Sequence, residues 1–99
     1  MLNKSPSLKD TNEAWFIYIV ECRDGTYYTG ITTDIERRIS EHNTSPLGAR
    51  YTRARRPVKL HYHETADNRS EALKREIQIK KLPRKRKQSL STLPTKTTS

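Results

Sequence analysis

Five side chains in this sequence carry chemistry that a single reaction could use. Tyr18 lies in Phe16-Ile17-Tyr18 and Tyr28 opens Tyr28-Thr29-Gly30. Arg38 follows, His42 comes one helical turn later, and Glu76 closes Ala72-Leu73-Lys74-Arg75-Glu76. Two phenols, a guanidinium, an imidazole and a carboxylate are the groups needed to hydrolyse a phosphodiester with one metal ion. Taken alone, each has an ordinary reading. Strand tyrosines are commonly half-buried sheet aromatics, Arg38 and His42 could line a solvated helix face, and Glu76 could pair with Lys80. Their joint occurrence at these spacings is what points to a site.

Such a site needs elements that bring the five together. Trp15 to Cys22 is aromatic or β-branched with almost no interruption, which predicts a strand buried on both faces. Arg23-Asp24-Gly25-Thr26 supplies a turn, because Asp-Gly accepts positive φ at little steric cost. Tyr27 to Ile31 then returns as the second strand of a hairpin, bringing Tyr18 close to one of Tyr27 or Tyr28. Thr33-Asp34-Ile35-Glu36 has the form of a capping box with Thr33 as the cap, opening a helix that ends near Asn43. Ile35 and Ile39 are expected to make its buried stripe, with Arg38 and His42 beside it facing the sheet rim.

Gly48 to Pro57 reads as a basic loop. Val58 to Glu64 alternates, placing Val58, Leu60, Tyr62 and Glu64 on one strand face and Lys59, His61 and His63 on the other. That histidine pair lacks a third ligand, so no zinc site is assigned. Asn68 and Glu71 form another capping box, opening a helix from Arg69 or Ser70 to Leu82 with Ala72, Leu73, Ile77 and Leu82 inward. Pro83 stops it or starts a short helix through Arg84-Lys85-Arg86-Lys87-Gln88. The expected fold class is a small α/β (α+β) domain of order β-β-α-β-α(-α).

A chain of 99 residues with 31% hydrophobic content holds one small domain and a modest core. The polar segments 1–13 and 91–99 are expected to be mobile, leaving 14–90 as the folded domain. A balance of 20 basic against 11 acidic residues gives a net charge of +9, and the pI is near 10.0. Nucleic acid is the partner this charge attracts. A membrane surface would require large apolar residues opposite the basic ones on a helix, and the C-terminal region lacks them. The lone Cys22 cannot form an intramolecular disulfide and reads as a buried core thiol. No apolar run approaches a membrane span or signal core, so a reducing cytoplasm is expected.

The two tyrosine tripeptides, Arg38 and His42 at their offsets, and Glu76 in a later helix resemble the GIY-YIG nuclease superfamily. Tyr28 to Arg38 and Gly48 to Arg53 are similar to its short stand-alone bacterial members of YhbQ type. Phe16 stands where that pattern has glycine, and Thr29 where it has isoleucine. The resemblance implies a three-stranded antiparallel sheet flanked by helices. It also implies phosphodiester hydrolysis with a single Mg²⁺ (or Mn²⁺) held by the residue matching Glu76, since such an ion keeps most of its waters and needs few protein oxygens. Within that scheme Arg38 offsets charge on the phosphoryl oxygens. Tyr18 is the general base, Tyr28 positions water or phosphate, and His42 assists by hydrogen bond or proton relay. A tyrosine can accept that proton only if its pKa falls well below about 10. Arg38, the metal and nearby lysines are expected to push it down.

Arg37, Arg50, Tyr51, Arg53, Arg55 and Arg56, with Lys80, Lys81, Arg84 and Lys85, make the expected docking surface for the nucleic-acid backbone. The function expected is a metal-dependent nuclease hydrolysing DNA phosphodiesters, structure-selective and of low sequence specificity, with DNA favoured over RNA and a protein partner supplying target choice. The alternative is a catalytically weak or inactive nucleic-acid-binding protein, a DNA or RNA accessory factor, that keeps the fold.

Overall fold

A computed structural model describes residues 14–90; the expectations for 1–13 and 91–99 lie outside the described residues. The elements are β1 (Trp15–Glu21), β2 (Tyr27–Thr32), α1 (Ile35–Thr44), a single turn α2 (Arg50–Arg53), β3 (Lys59–Ala66), α3 (Arg69–Lys80) and α4 (Arg84–Ser89). The sheet is antiparallel, in the order β2-β1-β3. Among the described residues no helix is long and apolar enough to cross a membrane.

Because β1 is central, four successive residues, Ile17 to Val20, are buried, as its uninterrupted apolar sequence requires. Side chains alternate across the sheet. Ile17 and Ile19 meet Ala72 and Ile79 of α3 on one face. Tyr18, Val20 and Cys22 meet Val58 and Ile39 on the other. Cys22 is thus a core thiol, and burial pushes its pKa up. The hairpin turn places Gly25 at φ 85°, a conformation that favours glycine.

Several local expectations are corrected. The cap of α1 is Asp34, not Thr33: its carboxylate accepts from Arg37 N–H at 3.0 Å. The buried residue of α1 is His42, with Ile35 and Ile39 only partly covered, because the helix lies against the tyrosine face of a sheet already filled by Tyr18. Asn68 does cap α3, accepting from Glu71 N–H at 2.9 Å. The inward stripe of α3 runs Ala72, Glu76, Ile79, and Ile77 is 54% exposed. One carboxylate on that stripe displaced the apolar pattern by a residue.

Alternation along β3 also fails. Ile19 faces Tyr62 while Val20 faces Leu60, so β3 carries an extra residue, His61, at a bulge. Leu60 and Tyr62 therefore sit on opposite faces, and so do His61, which packs on Tyr27, and His63, which meets Phe16. The expected shared histidine face does not exist.

Thr29 occupies the β2 position opposite Ile19 and is 3% exposed, yet its hydroxyl has no hydrogen-bond partner among the described residues. A buried unpaired hydroxyl is destabilising. Thr29→Val is expected to stabilise the fold by about 1 kcal/mol, raising Tm by about 5 °C. Thermal unfolding followed by circular dichroism checks this; a lower Tm would mean that the hydroxyl is satisfied.

Candidate active site

The tyrosine face of the sheet is built around an omission. Tyr18 of β1 lies directly across from Gly30 of β2, and its ring folds over that glycine. A Cβ at Gly30 would lie 2.5 Å from Tyr18 Oη and 2.7 Å from Cζ, so only glycine leaves room for the phenol. The ring thereby reaches α1, where Tyr18 Oη and His42 Nε2 are hydrogen-bonded at 2.7 Å. Of the two adjacent tyrosines in β2, Tyr28 is the one that shares this face. Its ring lies 6.5 Å from Tyr18 and 5.3 Å from His42, centroid to centroid.

His42 is completely buried. Its Nδ1 faces Thr52 Oγ1 of α2 at 2.8 Å, and Ala49 N–H approaches the same nitrogen at 3.4 Å. Arg56 holds this loop against the end of α1. Its guanidinium donates to the carbonyls of His42, at 2.5 Å, and Ser45, at 2.6 Å, satisfying helix-end acceptors that lack an intrahelical donor. Asn43 adds paired hydrogen bonds to the backbone of Val58.

Arg38 is held by Glu41 Oε1 at 2.8 Å and the Leu47 carbonyl at 2.9 Å. It also lies close enough to the Tyr18 phenol to favour its ionised form. Glu76 arrives from α3, the helix on the opposite face, with a side chain 15% exposed and paired to Lys80 at 3.3 Å. Its charge nevertheless reaches Tyr18 and raises the phenol pKa. Tyr28 and His42 thus pack against the Tyr18 phenol and Arg38 lies beside it, while Glu76 acts on it only through its charge from the other helix. The larger clefts elsewhere, one beside Cys22 and Val58 and another beside Glu64 and Glu71, include none of them.

The electrostatics differ from expectation. Burial, opposed by Arg38, pushes Tyr18 up to about 12, where the sequence predicted a fall. Burial and the cations Arg38 and Arg56 push His42 down to about 4. At neutral pH the pair is therefore a neutral phenol bonded to a neutral imidazole.

The expected docking residues divide into two groups. Arg37, Arg50, Arg53, Lys80, Lys81, Arg84 and Lys85 are exposed, although Arg84 also donates to the Gly25 carbonyl at 2.9 Å. Arg55 pairs with Asp24 at 3.1 Å and covers the Tyr51 ring, whose stacked neighbour is Tyr28. Arg55, Arg56 and Tyr51 are thus engaged within the fold. Thr52 was missed in the sequence, where a one-turn helix has no period to read and its threonine is hidden among arginines.

The sequence matches the GIY-YIG catalytic domain family over residues 14–89. It is 66% identical to a UPF0213 protein of Desulfotalea psychrophila over 78% of this chain and 70% of that one. A UPF0213 protein of Halobacterium salinarum is 54% identical over 75% of this chain and 95% of the relative. The solution NMR structure of a protein from E. faecalis shares 44% identity, with a TM-score of 0.54 over 80% of this chain and 83% of that one.

Proposed function

This chain belongs to the GIY-YIG catalytic domain family, and from that premise we propose that it is a metal-dependent nuclease hydrolysing phosphodiester bonds of DNA, with little sequence selection of its own. The observation that carries this reading is the gathering of Tyr28, Arg38 and His42 at one phenol, Tyr18, with the charge of Glu76 felt there from a third element. A salt-bridged surface would not need a carboxylate on the inward stripe of α3 or an imidazole in the core of α1.

Glu76 fits a hard divalent ion. It offers a partly buried carboxylate, the oxygen donor such an ion prefers. Mg²⁺ or Mn²⁺ bound there would supply positive charge to the scissile phosphate. Arg38, fixed by Glu41 and Leu47, faces the same charge with a preorganised guanidinium. Tyr28, the less buried phenol, orients water or phosphate. Tyr18 takes a proton from the attacking water as its own moves to His42 Nε2, so the buried phenol need never hold a full negative charge. Exposed cations on α2 and α4 bind the backbone without reading sequence, which leaves target choice to a protein partner.

A second reading, a nucleic-acid-binding protein that cuts weakly, is favoured by one observation: Tyr18 is 1% exposed with its pKa raised to about 12. Incubating the purified protein with branched, single-stranded and duplex DNA and with RNA separates the two. Cleavage of DNA in Mg²⁺ or Mn²⁺ that stops in EDTA is expected. Binding without cutting of any substrate would leave only the second reading.

A further inference from the structure

The buried polar atoms behind Tyr18 form a chain whose direction follows from hydrogen-bonding capacity. Thr52 Oγ1 has one proton and two neighbours, the Ala49 carbonyl at 2.9 Å and His42 Nδ1 at 2.8 Å. A carbonyl only accepts, so the threonine proton goes to Ala49 and a lone pair faces Nδ1. Nδ1 must then carry the imidazole proton. Nε2 is left as an acceptor, 2.7 Å from Tyr18 Oη. With Nε2 an acceptor, the phenol must supply the proton of that bond, so the Tyr18 proton points to His42. The contact favouring the opposite tautomer, Ala49 N–H to Nδ1, is the longest of the set at 3.4 Å.

We propose that Thr52 is a positioning residue: its hydroxyl fixes His42 as the Nδ1–H tautomer, so that Nε2 is the acceptor waiting for the Tyr18 proton. Every donor in the chain from Tyr18 through His42 and Thr52 to the Ala49 carbonyl then points the same way. Each bond polarises the next, and the set favours movement of the phenol proton toward His42. His42 and Thr52 are 0% exposed, so solvent does not compete for the atoms behind the phenol. The role of this tautomer in cleavage rests on the nuclease reading; the tautomer itself does not.

The test is therefore made on the free protein. Nitrogen-15 NMR of histidine-labelled protein near neutral pH distinguishes a protonated from an unprotonated ring nitrogen, and a His61→Gln, His63→Gln double variant assigns the His42 signals. The wild type and Thr52→Ser are expected to show a protonated Nδ1 and a bare Nε2. Thr52→Val, which removes the acceptor while keeping the shape, is expected to move the proton toward Nε2. A bare Nδ1 in the wild type would overturn the proposal, and so would an unchanged tautomer in Thr52→Val. If the valine variant does not fold, the wild-type and serine spectra still decide. Where cleavage is measurable, Thr52→Val is expected to slow it about 10- to 100-fold, with the rate restored in Thr52→Ser. Absence of cleavage in every variant would count against the nuclease reading and leave the NMR result standing.

Discussion

Arg38→Ala and Glu76→Gln are each expected to lower metal-dependent DNA cleavage about a hundred- to a thousandfold, the usual loss when one preorganised charge at a reacting centre is removed. The two changes act differently. Arg38 is held on two sides, by Glu41 and by the Leu47 carbonyl, so its guanidinium meets developing negative charge without having to reorganise. Arg38→Lys keeps the charge but loses the planar fork, and should fall between wild type and alanine. Glu76→Gln keeps the size of the side chain and removes its charge, so added metal should restore little. Single-turnover cleavage of labelled branched DNA measures both, and full activity in either variant would remove that residue from the mechanism. Neither change should unfold the protein. The ion pairs lost are partly exposed and contribute at most about 1 kcal/mol, which urea unfolding can verify.

The second large effect is acid sensitivity of the fold. His42 is neutral and buried, with its pKa lowered to about 4 from 6.5. Above pH 6.5 neither the folded nor the unfolded chain carries this proton, and stability is complete. As pH falls from 6.5 toward 4 the unfolded chain binds a proton that the folded one refuses, so about 3 kcal/mol of stability is lost across that window. Tyr18 mirrors this at high pH, where its raised pKa favours the fold below 10 and the advantage disappears toward 12. Urea midpoints measured from pH 7 down to pH 4.5 should fall steadily. A His42→Gln variant should start less stable and show a flatter profile over the same range. An unchanged midpoint in the wild type would mean that His42 is protonated in the folded state.

The sequence reported the elements faithfully where one physical signal dominated. The unbroken apolar run of β1, the Asp-Gly turn and the Asn68 cap each lead to one structure. It misled where a polar residue takes a position that packing would give to an apolar side chain. Glu76 on the inward stripe of α3 made Ile77 look buried, and His42 in the core made Ile35 and Ile39 look like the anchor of α1. Both errors therefore fall on residues of the candidate site. The five candidate residues could be read as a set because their types and offsets are specific. Their environment was not, because the pKa of Tyr18 depends on burial contributed by segments far apart in the chain. Thr52 and the bulge at His61 depend on long-range pairing that local sequence does not encode.

That bulge has a consequence for how the molecule behaves in company. In a sheet ordered β2-β1-β3, each outer strand pairs with a strand on one side only among the described residues. A flat β3 would invite a second copy to add a strand there and grow into an aggregate. The extra residue at His61 bends the strand and disrupts the ladder, while exposed Lys59 places a charge at its beginning. A neighbouring chain that found the register at one end of β3 would lose it at the other. The irregularity that spoils the alternation of the strand thus also keeps its edge from serving as a template.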